Sequence, residues 1–269
     1  MRMNTPKQVT AATLARAKRE GQKSVWLTAY DAAMARLAEQ AGVDVLLVGD
    51  SLGMVLLGFD STIPVTLEHM IHHAAAVVRA RRRAWVVVDM PFGSYQQSPE
   101  QAFANAARLM QQTGCDAVKI EGGETMAETI CFLAARGLAV VAHIGLTPQS
   151  VKQFGSYRRR GVNEAQRAQL LRDAQAVTEA GAVAVVLENI PAELARELTD
   201  MLDIPTVGIG AGIDTDGQVL VWHDLLGLSE RQPPFAPPYA QLGETASQAI
   251  ARWVSDVRAG RFPAEDSCA

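Results

Sequence analysis

The sequence predicts a (β/α)8 TIM barrel that forms a single domain over residues 1–269. Short apolar runs rich in Val, Ile and Leu alternate with helical patterns about eight times, without a linker, repeat or low-complexity tract. Such near-continuous apolar strands are typical of a parallel sheet that is covered on both faces. The length of 269 residues fits one barrel of this class, whose typical size is about 250 residues. An open, doubly wound parallel sheet is the alternative architecture.

Eight apolar segments are the predicted strands, and the last of them is the weakest. They span residues 25–29, 45–48, 85–88, 117–120, 139–142, 183–187, 206–209 and 219–222. An N-terminal helical segment precedes the first strand, and a C-terminal helix is predicted over residues 244–260.

Capping residues mark the helices between the strands. Ser98 is a predicted N-cap, Pro99 occupies the first helical position, and Gln101 stands where a capping box needs it. Gly114 is the predicted C-terminal stop of this helix, because glycine readily adopts a left-handed conformation. Further helices are predicted to begin near Gly123, Asn163 and Pro191.

The composition excludes several classes of protein. With 25 Lys and Arg against 29 Asp and Glu, the net charge of −4 does not favour nucleic-acid binding. No apolar run approaches the roughly 20 residues of a membrane span, and the N-terminus lacks a signal-peptide pattern. The three cysteines, Cys115, Cys131 and Cys268, have no CxxC spacing, so neither a disulfide framework nor a thiolate zinc site is expected. We therefore expect a cytoplasmic protein that does not bind membranes.

Ionisable residues follow five of the predicted strands. These residues are Asp50, Asp89, Glu121, His143 and Glu188. The C-terminal ends of the strands in a parallel barrel meet at one mouth, where active sites form. Any single acid could instead be a helix cap or a solvated loop residue, but five in one layout favour a site.

Strand periodicity predicts which side chains enter the barrel. Residues i and i+2 face the same way, so Lys119 and Glu121 should both point inward. A buried Lys and Glu are costly unless they are paired or bound to a ligand. A structural ion pair is one interpretation. The other is that Lys119 binds a substrate carboxylate while Glu121 belongs to a metal site.

The acids at the mouth suit a hard metal ion. Asp50, Asp89 and Glu121 offer only oxygen ligands, which favour Mg²⁺ over zinc. A divalent ion could chelate a 2-oxo acid and stabilise its enolate. Glu188, on another strand, is the candidate general base.

Three other features are weaker candidates. His69, His72 and His73 have helical spacing but lack the HExxH order, so a surface or subunit-contact role is favoured over a metal site. The glycine-rich residues 208–212 follow a strand and could approach a phosphate, although the full GxGxxG is absent. Residues 155–157 are either part of a mobile lid or an ordinary surface loop.

Longer motifs resemble those of the ketopantoate hydroxymethyltransferase family. They are TAYDAAMA at 28–35, VLLVGDSLGMVLLGFDSTIPVT at 45–66, VKIEGG at 118–123, HIGLTPQSV at 143–151, VLENIP at 186–191 and VGIGAGIDTDGQVLVWHD at 207–224. The resemblance runs in the same order from about residue 10 to about residue 263.

This resemblance implies a Mg²⁺-dependent barrel that makes ketopantoate from α-ketoisovalerate and 5,10-methylenetetrahydrofolate, in pantothenate and coenzyme A biosynthesis. It implies one Mg²⁺ per subunit and a homodecamer. By motif, Asp50, Asp89 and Glu121 match the metal-site acids, and Asp50 and Asp89 also contact the substrate. Ser51 and Lys119 match residues that hold the carboxylate of the oxo acid, and Glu188 matches the proposed base. The role of His143, at the mouth, is left open, as are the folate contacts.

Two other functions fit part of the pattern. A Mg²⁺-dependent carbon–carbon lyase of the isocitrate lyase and phosphoenolpyruvate mutase type would share the barrel, the metal and the enolate chemistry. However, no cysteine follows a strand as a catalytic acid, since Cys115 follows a predicted helix. A barrel that serves only as a binding module would leave the acids at the mouth without a role.

Overall fold

A computed structural model describes residues 7–263, which contain a closed barrel of eight parallel strands in chain order. The strands are β1 (Ser24–Thr28), β2 (Val45–Val48), β3 (Trp85–Asp89), β4 (Ala117–Glu121), β5 (Val140–Gly145), β6 (Ala184–Glu188), β7 (Thr206–Ile209) and β8 (Gly217–Leu220). β1 pairs with β8 as well as with β2, which closes the sheet. The predicted (β/α)8 architecture is therefore confirmed, and the open doubly wound sheet is wrong.

Helices connect the strands, with additional short helices in the loops. They are α1 (Ala11–Arg19), α2 (Ala32–Gln40), α3 (Leu52–Val55), α4 (Leu67–Ala80), α5 (Pro99–Thr113), α6 (Ala127–Ala134), α7 (Val151–Phe154), α8 (Glu164–Glu179), α9 (Ala192–Met201), α10 (Trp222–Leu225) and α11 (Leu242–Arg258). None of the helices formed by the described residues is long and apolar enough to cross a membrane.

The predicted capping residues stand where the helices begin and end. The Ser98 side chain accepts a hydrogen bond from the Gln101 backbone, and Gly114 ends α5 with a φ of 75°. The Asn163 side chain likewise caps α8. The predicted start at Gly123 is a short 3-10 turn over Glu124–Met126, and α6 follows it.

The eighth strand is shifted toward the N-terminus by two residues from its prediction. It spans Gly217–Leu220 rather than 219–222, and Trp222 begins α10. Its first residue pairs with Ser24, where the backbones of β8 and β1 approach closely. A Cβ atom on Gly217 would lie 2.3 Å from Ser24 Oγ, so only glycine fits at this closing contact. A strand that begins with glycine lacks the apolar signal that marks the other strands.

Alternate strand residues fill the barrel. Trp26 and Trp85 meet edge to face, with ring centroids 6.2 Å apart, and pack with Val and Ala side chains from the other strands. Along β3 the inward positions are Trp85, Val87 and then Asp89, so the apolar core gives way to charged residues toward the C-terminal strand ends.

The chain separates into two compact units, one that ends at Leu220 and one that begins at Val221. The first contains the barrel. The second contains α10 and α11, and the predicted C-terminal helix is confirmed with slightly different bounds. The organisation as a single domain stays a prediction. Cys115 and Cys131 are free thiols, and Cys268 lies outside the described residues.

Candidate active site

The ionisable residues predicted at the strand ends meet at the C-terminal mouth of the barrel. Strand register places Asp89 beside Lys119, and Glu121 beside His143. Glu188 lies opposite Gly145, at the end of the next strand pair. Along each strand these residues lie two or four positions from apolar core residues, so their side chains point to the same, inner face of the barrel.

Lys119 is buried at the centre of this group. Its Nζ lies 3.1 Å from Asp89 Oδ1 and 3.2 Å from His143 Nδ1. Burial by itself lowers the pKa of Lys119, but the carboxylates of Asp89, Glu121 and Asp50 outweigh it and raise that pKa above its ordinary value. The predicted inward direction is confirmed, and the carboxylate paired with this ammonium is Asp89 rather than Glu121.

His143 stands between the lysine and the candidate base. Its Nδ1 lies 3.2 Å from the ammonium of Lys119, and its Nε2 lies 3.1 Å from Glu188 Oε2. Burial, followed by the charge of Lys119, lowers the pKa of this imidazole well below its ordinary value. We infer that the ring is neutral and that Nδ1 accepts from Lys119, which leaves the proton on Nε2. Nε2 is buried and makes no hydrogen bond with the described residues, although Glu188 Oε2 lies 3.1 Å away.

Glu188 has the properties of a proton acceptor near neutral pH. Burial raises the pKa of its carboxyl group to about 7, against the opposing charge of Lys119. Its side chain is nevertheless 17% exposed, compared with 4% for that of His143. A buried group that retains access to the mouth, with a pKa near the working pH, suits general base catalysis.

Asp50 and Asp89 form the acidic side of the mouth. The Asp50 backbone N–H donates to Asp89 Oδ2 at 3.1 Å. Burial, followed by the charge of Asp89, raises the pKa of Asp50 to about 7. Asp89 Oδ1 is buried and accepts no hydrogen bond, although it lies at ion-pair distance from Lys119. Burying this carboxylate oxygen would be costly without a cation, and the ammonium of Lys119 supplies the positive charge beside it.

Gln149 joins these acids, and the sequence reasoning did not single it out. Its Nε2 donates to Asp50 Oδ2 at 2.9 Å and to the carbonyl of Met90 at 3.0 Å. Its backbone N–H donates to Glu121 Oε2 at 3.0 Å. Its Oε1 accepts from Tyr95 Oη at 2.8 Å. Gln149 lies inside the motif HIGLTPQSV, but nothing in its own spacing indicated that it would reach Asp50.

Tyr30 is a second residue that the sequence did not indicate. It is fully buried, and its hydroxyl shares a hydrogen bond of 2.9 Å with Ser51 Oγ. Ser51 therefore has a fixed partner at the mouth, next to Asp50 in the chain. The contact joins the loop after β1 to the loop after β2, and only the closed barrel brings these loops together.

The charges at the mouth fit a divalent cation. Asp50, Asp89, Glu121 and Glu188 are four acids, and within the described residues Lys119 is the one basic side chain that pairs with them while His143 is neutral. Oxygen ligands in excess of positive charge suit Mg²⁺.

The side chains of Asp50, Asp89 and Glu121 are not already placed around a single metal position. Across residues 7–263, no three or more His, Cys, Asp and Glu side chains already have metal-binding spacing. The metal roles of Asp50, Asp89 and Glu121 stay predictions.

The weaker candidates lie in different places. His69 closes a capping box with Thr66 at the start of α4, and His73 Nδ1 lies 2.7 Å from the Tyr30 carbonyl. Residues 208–212 begin within β7 and continue past its C-terminal end, where Ile209 pairs with Glu188 in the register. Residues 155–157 begin the loop after α7, and Asn189 Nδ2 donates to the Tyr157 carbonyl at 3.3 Å. A phosphate or lid role for these segments stays a prediction.

Comparison with known proteins gives consistent matches. A family model described as ketopantoate hydroxymethyltransferase matches residues 8–265. The 3-methyl-2-oxobutanoate hydroxymethyltransferase of Paracoccus denitrificans is 55% identical over 249 residues, which are 92% of this chain and 90% of that protein. The enzyme of the same name from Rhodospirillum centenum is 57% identical over the same shares of both chains.

Solved structures match the barrel with much lower identity. The crystal structure of 2,3-dimethylmalate lyase, a PEP mutase/isocitrate lyase superfamily member, aligns with a TM-score of 0.58 and 18% identity. The alignment covers 96% of this chain and 91% of that chain. At this identity the likeness supports the fold alone, so it does not favour the lyase alternative.

Proposed function

Because this chain belongs to the ketopantoate hydroxymethyltransferase family, we propose that it transfers a hydroxymethyl group to C3 of α-ketoisovalerate. The one-carbon donor is 5,10-methylenetetrahydrofolate, and the product ketopantoate enters pantothenate and coenzyme A biosynthesis. The observation that carries this proposal is the position of Glu188, a partly exposed carboxylate with a pKa near 7, across the mouth from a buried lysine and two aspartates.

Asp50 and Asp89 would hold Mg²⁺, with Glu121 as the third acid of the site. The raised pKa of Asp50 supports this assignment, because burial beside the carboxylate of Asp89 leaves Asp50 with too little positive charge around it. When bound, the ion withdraws electron density from the 2-oxo carbonyl and so stabilises negative charge on its oxygen.

Lys119 and Ser51 would orient the substrate carboxylate. Lys119 keeps its charge, and its ammonium donates hydrogen bonds to anionic oxygens. Tyr30 fixes the Ser51 hydroxyl through their mutual hydrogen bond. Together these groups would hold the oxo acid so that C3 faces Glu188 rather than solvent.

Glu188 would accept the C3 proton. C3 then forms a bond to the methylene carbon of the donor, and water supplies the hydroxyl group, as the two bonds from that carbon to donor nitrogens break. The C3 proton and one proton of the water end on those nitrogens, and tetrahydrofolate leaves. His143, whose Nε2 lies 3.1 Å from Glu188 Oε2, would stand beside the carboxylate without carrying a competing positive charge. The homodecamer and the cytoplasmic location rest on the resemblance and on composition, and they belong to this proposal.

Exchange of the C3 hydrogen with deuterated solvent, measured without folate, tests the proposal. We expect Glu188→Gln to slow exchange by about 10²- to 10⁴-fold, the usual contribution of a general base. Binding of Mg²⁺ and α-ketoisovalerate should change little, since the amide is isosteric. Wild-type exchange rates in the variant would contradict the role of Glu188. A protein that exchanges no C3 hydrogen and forms no ketopantoate would contradict the proposed function.

A further inference from the structure

The segment after β5 carries a concentration of positive charge that the proposed chemistry does not use. Residues 151–162 contain Lys152, Arg158, Arg159 and Arg160, with no Asp or Glu. The chain as a whole has a net charge of −4, so this patch departs from the average composition. We call Arg158, Arg159 and Arg160 the rim arginines.

Hydrogen bonds attach this loop to the strand end that carries the candidate base. The Arg160 backbone N–H donates to the Asn189 carbonyl at 3.0 Å, and the Asn189 side chain donates to the Tyr157 carbonyl at 3.3 Å. Asn189 directly follows Glu188 and has a φ of 48°, in the left-handed region that few non-glycine residues adopt. The loop therefore adjoins the reaction site.

The pKa of Tyr157 shows that the loop lies near the acids at the mouth. Burial raises the pKa of its hydroxyl, and the negative charges of Asp50, Glu188 and Glu121 raise it further. Its side chain is thus within electrostatic range of the acids at the mouth, while the residue remains 43% exposed. The next residues in the chain are the rim arginines.

No carboxylate among residues 7–263 forms an ion pair with the rim arginines. Arg160 stacks on the Phe154 ring, with Cζ 4.2 Å from the centroid. Arg158 and Arg159 are exposed. Two unpaired guanidinium groups beside an anionic mouth can bind planar carboxylates in bidentate geometry.

We propose that the rim arginines form a subsite for the glutamate carboxylates of the folate donor. The inference rests on the proposed function, which brings the methylene carbon of the donor to C3 beside Glu188. The glutamate end lies at the other end of that molecule, so it must extend outward past the rim of the mouth. Each γ-linked glutamate adds one carboxylate, so a longer tail should bind more tightly.

Steady-state kinetics with the monoglutamate and triglutamate forms of the donor test this subsite. The Arg158→Gln/Arg159→Gln double variant should raise KM for the triglutamate by about tenfold, since two exposed ion pairs are lost. The rise for the monoglutamate should be smaller. KM for α-ketoisovalerate and the folate-free C3–H exchange rate should stay within about twofold of wild type, because neither requires the tail.

Arg82→Gln is the matched control. Arg82 is exposed and precedes β3, at the opposite end of the barrel, so its loss should leave every constant unchanged. Double substitution to lysine keeps the charge but not the bidentate geometry, and should restore part of the triglutamate preference. Added salt should weaken that preference in the wild type even if a variant folds poorly.

Two results would overturn the subsite. One is an unchanged ratio of monoglutamate to triglutamate KM in the double variant. The other is an equal rise in KM for α-ketoisovalerate, which would assign the arginines to general attraction of anions. Folate-free exchange separates these results from a failure of the proposed function. A wild-type protein that exchanges the C3 hydrogen but ignores tail length would contradict the subsite alone.

Discussion

At the scale of single residues, the site depends on charges that the barrel buries together. The ammonium of Lys119 lies between Asp89 and the imidazole of His143, and that ring reaches Glu188. The lysine stays charged, the histidine stays neutral, and burial raises the pKa of Glu188 to about 7. In the proposed function, this one set of neighbours would provide both an anion-binding group and a proton acceptor.

The pKa of Glu188 predicts how C3–H exchange depends on pH. Only the carboxylate form accepts a proton, so the exchange rate should fall about tenfold per pH unit below 7 and level off above it. The measurement is the deuterium exchange rate between pH 5 and pH 9 at saturating α-ketoisovalerate. A flat profile down to pH 5 would indicate a base with an ordinary carboxyl pKa.

Gln149 should control how well Asp50 binds a metal ion. Gln149→Leu removes the donor to Asp50 Oδ2 and leaves the Met90 carbonyl unpaired. We expect Mn²⁺, followed by electron paramagnetic resonance, to bind about 10- to 100-fold more weakly, the usual effect of losing a residue that orients a ligand. Gln96→Ala is the control, because Gln96 is exposed and its side-chain amide contacts Gln149 but not Asp50. Equal affinities of the two variants would show that Gln149 does not orient Asp50.

At the scale of elements, strand register determines which side chains meet. Asp89 and Lys119 lie side by side on β3 and β4, and Glu121 and His143 lie side by side on β4 and β5. The alternation of Lys119 and Glu121 was readable from β4 alone. The pairing of Lys119 with Asp89 was not, since it depends on the register between two strands. In the same way, Gln149 reaches Asp50 only because loops after different strands converge.

Gly145 should be essential for the position of the β6 end. Its φ is 98°, and a Cβ there would lie 2.4 Å from the Glu188 carbonyl oxygen. Gly145→Ala should lower the free energy of unfolding by about 2 kcal/mol and slow C3–H exchange by moving Glu188. Urea denaturation and the exchange assay measure the two effects.

Gly137→Ala is the control that separates backbone strain from the clash of a Cβ at position 145 with the Glu188 carbonyl. Gly137 has a similar φ of 86°, but a Cβ there would meet nothing within 4 Å. It should cost about 1 kcal/mol of stability and leave exchange unchanged. If both variants retained wild-type exchange, the close approach at Gly145 would have no part in positioning the base.

At the scale of the whole molecule, the acids at the mouth should make the free energy of unfolding depend on pH and on bound metal. The pKa values of Asp50 and Glu188 are both raised to about 7. Between their ordinary pKa values and pH 7, the folded protein holds more protons than the unfolded chain. The metal-free protein should therefore lose stability as the pH rises through this range.

Magnesium should reverse this loss. At about 100 times its Kd, a ligand that binds only the folded state adds about 2.7 kcal/mol, which corresponds to roughly 5 °C in Tm for a chain of this size. The increase should be larger at pH 8 than at pH 6, because protons compete for the same carboxylates. Thermal denaturation with Mg²⁺ or with EDTA measures it, and Asp89→Asn should abolish it. Transferase activity that survived rigorous removal of divalent ions would contradict the metal role.

The sequence by itself determined the barrel, most strand ends and the ionisable residues at the mouth, because these features are local. Apolar runs define buried strands, alternation defines the inward face, and the residue after a run defines the mouth. Only the tertiary structure decided which charges pair, that Gln149 and Tyr30 belong to the site, and where β8 begins. Those features depend on register, loop convergence and the close contact of Gly217 with Ser24. Such contacts join residues far apart in the chain, and no local pattern encodes them.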